Sequence, residues 1–562
     1  MQETTVAMPQ HHPISLDLTI EKLVYGGAGL ARHPDYGVIF VPGVLPNETV
    51  RVQLTPTAPA TERNGTKRSL THATVMDVIT PSAERVTPPC EVFGQCGGCQ
   101  WQHMAPSAQA NALHGIVVES LKRLGGCSNP PVASLIDQPN STCVEGKTSS
   151  SYGYRSRAQW HVVPNDNNPS APWGLGYQGH AAGDETLQAI LPGHCPILTA
   201  SLEKTRQALP QWVFETLANS TVEYALEALD TVVWVDAQEN AQQQQCITLL
   251  VSLPEAVAPL VEALKALATT TTILTPESPF SSERVGLFVA YAADSQQLGT
   301  DDGPQSAQLE QDATPRRHRG RRFGQRQSRK LTDADIEGDT EVAPAAAVSE
   351  VIEPQWAYGL KRLTETLPSP TQDETALTLT RQSLGFFQAN RPMAFTALQW
   401  LDAWLTKYLA ENPPENPWLV ILDLFSGSGF WGLGLAHHAQ QVIAVEAVPV
   451  AMPAVNMPDH VISVTDRVEA FCSTLEDPLP TITLVDPPRV GCSAAVIRHI
   501  TALTSDLIVY VSCNPTTLAR DTQRIVATGD WALTVVQPFA FFPQTSHVES
   551  IAIFTRQANP AE

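Results

Sequence analysis

The stretch that most constrains this chain is Leu507-Ile508-Val509-Tyr510-Val511, an unbroken apolar run that stops at Ser512-Cys513-Asn514-Pro515. A largely β-branched run without polar alternation fits a strand covered on both faces, hence a parallel sheet flanked by helices. Pro515 has no N–H to offer a ladder, so the strand ends there. In open α/β sheets ligands gather at the carboxyl ends of strands, which is where Cys513 falls. A lone cysteine in such a place is more often a small buried hydrophobe than a nucleophile. The motifs around it decide between the two.

At 562 residues the chain is too long for one core, and its length suggests roughly three or four domains. A hydrophobic content of 43% fits a globular protein. Met1 to Pro13 is polar, and no run of about 18 uncharged apolar residues occurs, so a cytoplasmic protein that does not engage membranes is expected. Ten cysteines are too few for a disulfide scaffold; clustered ones point to metal or catalysis. The net charge of -22 argues against a general polyanion binder, so nucleic-acid contact requires local basic patches.

Residues 15–85 alternate short apolar stretches with turn signals such as Gly26-Gly27-Ala28-Gly29 and Pro42-Gly43, the pattern of a small closed barrel. Lys22, Arg32, Arg51, Lys67 and Arg68 are its candidate phosphate contacts, although each is singly more common as a solvated surface charge. Cys90, Cys96 and Cys99 follow within ten residues, with Gly97-Gly98 between the last two, and all three can face one soft metal centre. From about 200 to 292, helical stretches (Leu202 to Leu217, Val257 to Leu267) alternate with strands (Val232 to Val235, Cys246 to Val251). Residues 294–348 are rich in Gln, Ser, Asp and Gly, with a basic block at Arg316 to Arg322 and acids from Asp333 to Glu341. This segment is expected to be disordered, since it cannot bury enough apolar area to offset its ordering entropy.

The last domain opens at Gly385-Phe386-Phe387-Gln388-Ala389-Asn390. A strand is expected over Trp418 to Phe425, a glycine turn over Ser426 to Gly429 and a helix over Phe430 to Ala436. The glycines let a ligand approach the helix N-terminus closely. Gly427-x-Gly429-x-x-Gly432, with Glu446 ending the run Val442 to Val445, also satisfies the dinucleotide fingerprint, which keeps an NAD enzyme in play. Asp486-Pro487-Pro488-Arg489 follows the strand Ile482 to Val485, and Phe542-Pro543-Gln544-Thr545-Ser546-His547-Val548-Glu549 comes last. A NAD-dependent or N-methylating enzyme and a non-catalytic RNA-binding protein both remain open at this point.

Leu422 to Gly429, Asp486 to Gly491, Val509 to Pro515 and Phe542 to Glu549, in that order, resemble the RNA 5-methyluridine methyltransferases, from about Leu18 to Phe554. The resemblance implies a multidomain α/β protein. Its parts would be an OB-like TRAM β-barrel (15–85), a central α/β domain with a four-cysteine cluster (86–293), the disordered insertion (294–348), a return to the central domain (349–380) and a Rossmann-like methyltransferase domain (381–562). It implies Cys513 as nucleophile and Glu549 as base, with Gln388, Phe425, Glu446 and Asp486 around S-adenosylmethionine. It adds Cys195, in His194-Cys195-Pro196, as the fourth ligand of a [4Fe-4S] cluster. Zinc is the runner-up, although structural zinc usually brings two close cysteine pairs. Arg155 and Arg157 would face RNA. The implied substrate is RNA, ribosomal RNA ahead of transfer RNA, and the expected state is a monomer. Pro449, Pro453 and Pro458 depart from the family pattern and leave Asp466 and Arg467 as alternatives for contacting adenine.

Overall fold

The computed structural model describes residues 14–557 apart from 56–61, 64–65, 68–70, 140–150, 165–172, 180–188, 216–231, 271–280, 292–353, 367–377, 382–384, 386, 415–417, 449–456 and 476–480. The insertion 294–348 therefore lies outside the described residues, as do Pro449, Pro453 and Arg68.

The N-terminal module is a six-stranded sheet in the order Ser15–Thr19, Thr49–Leu54, Thr71–Thr80, Gly37–Val41, Gly29–His33, Lys22–Leu23. Alternation along Thr49–Leu54 sends Val50, Val52 and Leu54 inward onto Leu18, Ile20, Ile39 and Val41. The fully buried Glu48 carboxylate ties the exit of the module to its core. It accepts from Arg85 Nε (2.6 Å) and Nη2 (2.7 Å) and from the backbone N–H groups of Leu45 (2.8 Å) and Ser82 (3.1 Å). A buried charge persists only with such complete pairing.

The central sheet has seven strands, in the order Ala189–Ile190, Trp173–Gln178, Arg157–Pro164, Val232–Glu239, Gln245–Val251, Val285–Tyr291, Gln355–Gly359. Val285–Tyr291 and Gln355–Gly359 pair antiparallel, with Val289 opposite Gln355, so the chain on either side of the insertion belongs to one sheet edge. The helix expected over Leu202 to Leu217 is Ala200–Leu209, continuing as a wider turn over Pro210–Glu215. Pro210 has no N–H to extend the regular ladder.

The C-terminal sheet runs Val461–Thr465, Gln441–Glu446, Val420–Leu424, Ile482–Val485, Leu507–Ser512, Glu549–Arg556, Trp531–Phe539. Its first five strands are parallel; Glu549–Arg556 is antiparallel to both of its neighbours. Leu507–Ser512 is buried throughout, as its unbroken apolar sequence demands. The first strand stops at Leu424, one residue short of expectation, because Phe425 turns to φ 59°. The following helix closes at Gly434, and a one-turn 3₁₀ helix, Ala436–His438, comes after it.

Chain order and spatial order part company after the cysteine motif. The helix Pro106–Arg123 buries Leu113, Ile116, Val117 and Leu121 in the same core as Leu518, Ala519 and Val536 of the C-terminal domain. Val132 and Ile136 bridge to Val536 and Phe539 at the edge of the C-terminal sheet. Among the described residues no helix is long and apolar enough to cross a membrane.

Candidate active site

Leu507–Ser512 and Glu549–Arg556 pair antiparallel with Val509 opposite Ile553, Val511 opposite Ile551 and Ser512 opposite Ser550. The next position in that register sets Cys513 opposite Glu549. Neighbouring strands lie about 5 Å apart, so the thiol and the carboxylate issue from adjacent points on one sheet edge. Cys513 is half-buried and Glu549 is 3% exposed. Directly after Cys513, Asn514 caps the helix Pro515–Val526, its side chain accepting from Thr516 N (2.9 Å) and Thr517 N (3.4 Å). The positive end of that helix favours an anion beside it.

The Asp486 to Gly491 turn is fastened to the same helix. Asn514 Nδ2 and Thr517 Oγ1 donate to the Arg489 carbonyl at 3.1 and 3.2 Å. The buried Asp521 accepts from Cys492 N (2.9 Å), the Tyr510 hydroxyl (2.8 Å) and Arg520 Nε (2.8 Å). Gly491 sits at φ 74°, and a Cβ there would meet Arg520 Nη2 and Asp521 Oδ2 at 2.6 Å, so glycine is required.

One residue beside this pair was not legible in sequence. Tyr25, in the turn between two strands of the N-terminal module, donates its hydroxyl to the Cys513 carbonyl at 3.4 Å, and its ring meets His547 edge-on at 6.5 Å. Burial pushes the phenol well above its ordinary pKa, and the charges of Cys513 and Glu549 add to the shift while Arg489 opposes it. Tyr25 therefore stands as a neutral O–H among those three groups. His547 packs edge-on against Phe542 at 6.1 Å, which completes an aromatic wall. The loop carrying that wall is gripped by the cysteine segment: Gln100 N (3.1 Å) and Trp101 N (2.9 Å) donate to the Gln544 carbonyl. Gln109 accepts from Gln544 N at 2.9 Å and donates to its Oε1 at 3.0 Å. Gln544 is held at φ 71°, a conformation that costs a non-glycine residue about 1 kcal/mol or more. Trp101 Nε1 reaches back to the Gly27 carbonyl at 3.2 Å, two residues from Tyr25.

Three carboxylates line the carboxyl ends of adjacent parallel strands. Glu446 accepts from Gly427 N and Val448 N, each at 3.0 Å, which clamps the glycine turn. Asp486 accepts from Trp431 Nε1 at 2.9 Å. Asp423, fully buried, accepts from Gly432 N at 2.9 Å through Oδ2, while its Oδ1 has no partner among the described residues. Burial pushes its carboxyl up to about 8, Asp486 and Glu446 add to the shift, and the Gly432 N–H opposes it. Phe425, half-buried at φ 59°, turns the chain directly after the strand Val420–Leu424. Gln388 is 7% exposed, and its neighbour Asn390 donates to the Phe541 carbonyl at 2.9 Å, tying that segment to the aromatic loop. Asp466 donates its N–H to the Glu446 carbonyl at 3.1 Å, so it lies beside the second carboxylate. Acid acceptors, an orphaned buried oxygen and a glycine turn together fit a ligand with an ammonium group and a ribose.

Cys90, Cys96, Cys99 and Cys195 line one pocket, with Phe93, Tyr177 and Arg155. The Tyr177 hydroxyl reaches Cys195 Sγ at 3.6 Å and Gly98 N reaches Cys96 Sγ at 3.4 Å. Tetrahedral zinc would draw its sulfur ligands to about 3.8 Å from one another. Among the described residues, no three of these sulfur atoms lie within 4.8 Å of one another. Wider spacing suits a polynuclear cluster, in which each thiolate meets a different iron. Arg155 and Arg157 do not form an RNA-facing surface: Arg155 is 5% exposed beside the cysteines, and Arg157 pairs with the buried Asp236 at 3.2 Å. Lys22, Arg32 and Arg51 pair with Glu119, Glu21 and Asp17. Such exposed pairs are weak enough to be exchanged for a phosphate.

The comparisons with known proteins agree with this geometry. The profile of the tRNA (Uracil-5-)-methyltransferase family matches residues 474–557, the span that holds Asp486, Cys513 and Glu549. The 23S rRNA (uracil(1939)-C(5))-methyltransferase RlmD of Photorhabdus laumondii is 26% identical over 96% of this chain and 96% of its own. An uncharacterized RNA methyltransferase of Thermosynechococcus vestitus is 26% identical over 96% of this chain and 98% of its own. The crystal structure of the Pyrococcus abyssi tRNA (uracil-54, C5)-methyltransferase in complex with S-adenosyl-L-homocysteine superimposes with a TM-score of 0.54 at 15% identity, covering 96% of this chain and 100% of that one. Fold and crevice thus define a multidomain α/β methyltransferase dependent on S-adenosylmethionine. Along nearly its whole length the chain is similar to RNA 5-methyluridine methyltransferases, and the NAD alternative falls away.

The position of Tyr25 yields a test. Tyr25→Ala should lower kcat about tenfold or more while changing RNA affinity by less than about threefold, and Tyr25→Phe should fall between it and wild type. Weakened RNA binding with an unchanged kcat would make Tyr25 a tether outside the reaction.

Proposed function

We propose that this protein transfers the methyl group of S-adenosylmethionine to C5 of a uridine in large-subunit ribosomal RNA, through a covalent bond between Cys513 and C6 of the base. The observation that carries this reading is the register that sets Cys513 opposite Glu549. Similarity to a 23S rRNA enzyme along nearly the whole chain supports the substrate, as does the pairing of a four-cysteine pocket with an N-terminal β module, which we read as a TRAM domain. Transfer RNA is the second reading, since the profile matching residues 474–557 is named for it. We place the reaction in the cytoplasm.

C5 of uracil is a poor nucleophile until something adds to C6. In this reading the Cys513 thiolate, stabilised by the N-terminus of Pro515–Val526, adds there, and the electron pair of the C5–C6 bond moves into the enolate. S-adenosylmethionine, when bound by Gln388, Phe425, Glu446 and Asp486, supplies the electrophilic methyl group that C5 takes up. Glu549 then removes the C5 proton, and the returning electron pair expels the thiolate and restores the double bond. The aromatic wall of Tyr25, Phe542 and His547 gives an unstacked base its surface, so a loop or flipped uridine is the substrate.

Cys90, Cys96, Cys99 and Cys195 would hold a [4Fe-4S] cluster. Its role in this account is mechanical: it stiffens the segment whose Gln100 and Trp101 grip Gln544 next to the catalytic edge. The protein as isolated without oxygen should carry about four irons and matching sulfide per chain, and Cys96→Ser should lose both. About one zinc and no iron would reject the cluster.

Two variants test the chemistry. Cys513→Ala should lower methylation by about 10⁴-fold or more while still binding S-adenosylmethionine, and cells relying on it should lack the corresponding 5-methyluridine in ribosomal RNA. Glu549→Gln should accumulate a protein–RNA adduct stable to denaturation. Turnover by Cys513→Ala at the wild-type rate would refute the assignment, and loss of 5-methyluridine from transfer RNA alone would move the substrate to the second reading.

A further inference from the structure

We propose that Asp402, His437 and His438 form a second metal site, for a single divalent transition ion of the zinc type, on the edge of the methyltransferase domain remote from the catalytic residues. His437 Nε2 lies 2.9 Å from Asp402 Oδ1, and His438 Nε2 lies 2.7 Å from the same oxygen. The two imidazole centroids are 4.0 Å apart, with the rings tilted by 40°. Among the described residues this is the one group that brings three possible ligand atoms within 4.8 Å of one another.

The convergence itself points to an ion. A carboxylate has two oxygens, and two imidazoles gathered only to pair with it would gain more by taking one each. Here both aim the same ring nitrogen at one oxygen, so that two nitrogens and an oxygen surround a single point. Tetrahedral zinc bonds of about 2.0–2.2 Å to nitrogen and oxygen place adjacent ligands about 3.3–3.6 Å apart, so the side chains need to open by roughly half an ångström or a little more. Two imidazoles and a carboxylate are borderline ligands that suit zinc, cobalt or nickel rather than calcium or magnesium. The side chains are 24%, 25% and 10% exposed, which leaves a face open for water to complete the coordination.

The location defines the role. Asp402 lies in the helix Arg391–Glu411, whose N-terminus adjoins Gln388 and whose cap, Asn390, bonds the aromatic loop. The histidines lie in the turn Ala436–His438, between the helix Phe430–Gly434 that follows the glycine turn and the strand that ends at Glu446. The sequence runs from His438 into the beginning of that strand, whereas the methyl-transfer groups sit at the opposite, carboxyl edge. An ion here would staple two elements that carry the cofactor crevice without touching the reaction.

Cobalt(II) distinguishes this site from the cysteine pocket, because thiolate ligands give intense sulfur-to-metal charge-transfer bands and nitrogen and oxygen ligands do not. Titrating the full-length protein with its cysteine pocket already filled should show one further equivalent of cobalt, with weak visible bands only and displaceable by zinc. Asp402→Asn and His437→Gln should each weaken that equivalent about 100-fold or more while methylation stays at the wild-type level. The same metal should raise the thermal midpoint of wild type but not of either variant. No additional equivalent in the wild type, a sulfur signature on all bound cobalt, or equal binding by the variants would overturn the proposal. The wild-type spectrum decides the question even if a substitution disturbs folding.

Discussion

The antiparallel pairing at the end of a five-stranded parallel block sets the spacing between positions 513 and 549. Leu507–Ser512 and Glu549–Arg556 run in opposite directions, so the end of one strand meets the beginning of the other. A one-residue slip would turn every side chain to the other face and carry Glu549 away from Cys513. The register resists slipping because both faces are buried. Val509, Val511, Ile551 and Ile553 pack into one core, while Ile508, Tyr510, Ala552 and Phe554 pack into the other. Apolar packing thereby fixes the spacing of a thiol and a carboxylate.

The remaining parts of the site come from far away in the chain and are held by hydrogen bonds, most of which end on backbone groups. The cysteine segment grips Gln544 through Gln100, Trp101 and Gln109, and Trp101 also holds the loop that delivers Tyr25. Backbone carbonyls have a fixed direction and carry no net charge, so such bonds position a loop without perturbing the ionisation of its neighbours. The helix Pro106–Arg123 completes the interlock by sharing a core with the helix that follows Cys513. The N-terminal module and the catalytic domain are therefore not beads on a string. In this account, RNA held by the first is presented to a site of which the first is part.

Much of this was legible in sequence because it is local. The unbroken apolar run predicts a covered strand, Pro515 predicts its end, and the glycine turn followed by Glu446 predicts a ligand crevice. What was illegible depends on partners distant in the chain. Tyr25 reads as an ordinary turn residue until Cys513 is beside it, and nothing in Gln544 announces a left-handed backbone. Chain order placed residues 106–123 within the central domain, whereas the helix they form shares its core with the C-terminal domain. The family resemblance offered Arg155 and Arg157 as RNA contacts; here one lines the cysteine pocket and the other pairs with a buried aspartate. The convergence of Asp402 with His437 and His438 is equally a product of folding.

The central claim, that sulfur at position 513 bonds to C6 and a base then withdraws the C5 proton, is tested most directly by RNA carrying 5-fluorouridine. With fluorine at C5 there is no proton for Glu549 to remove, so the reaction must stop after methyl transfer with the bond to C6 intact. The account predicts a stable adduct, formed only when S-adenosylmethionine is supplied, whose mass-mapped peptide bears the nucleotide on Cys513. A methylated product released without an adduct, or a nucleotide attached to any other residue, would contradict it.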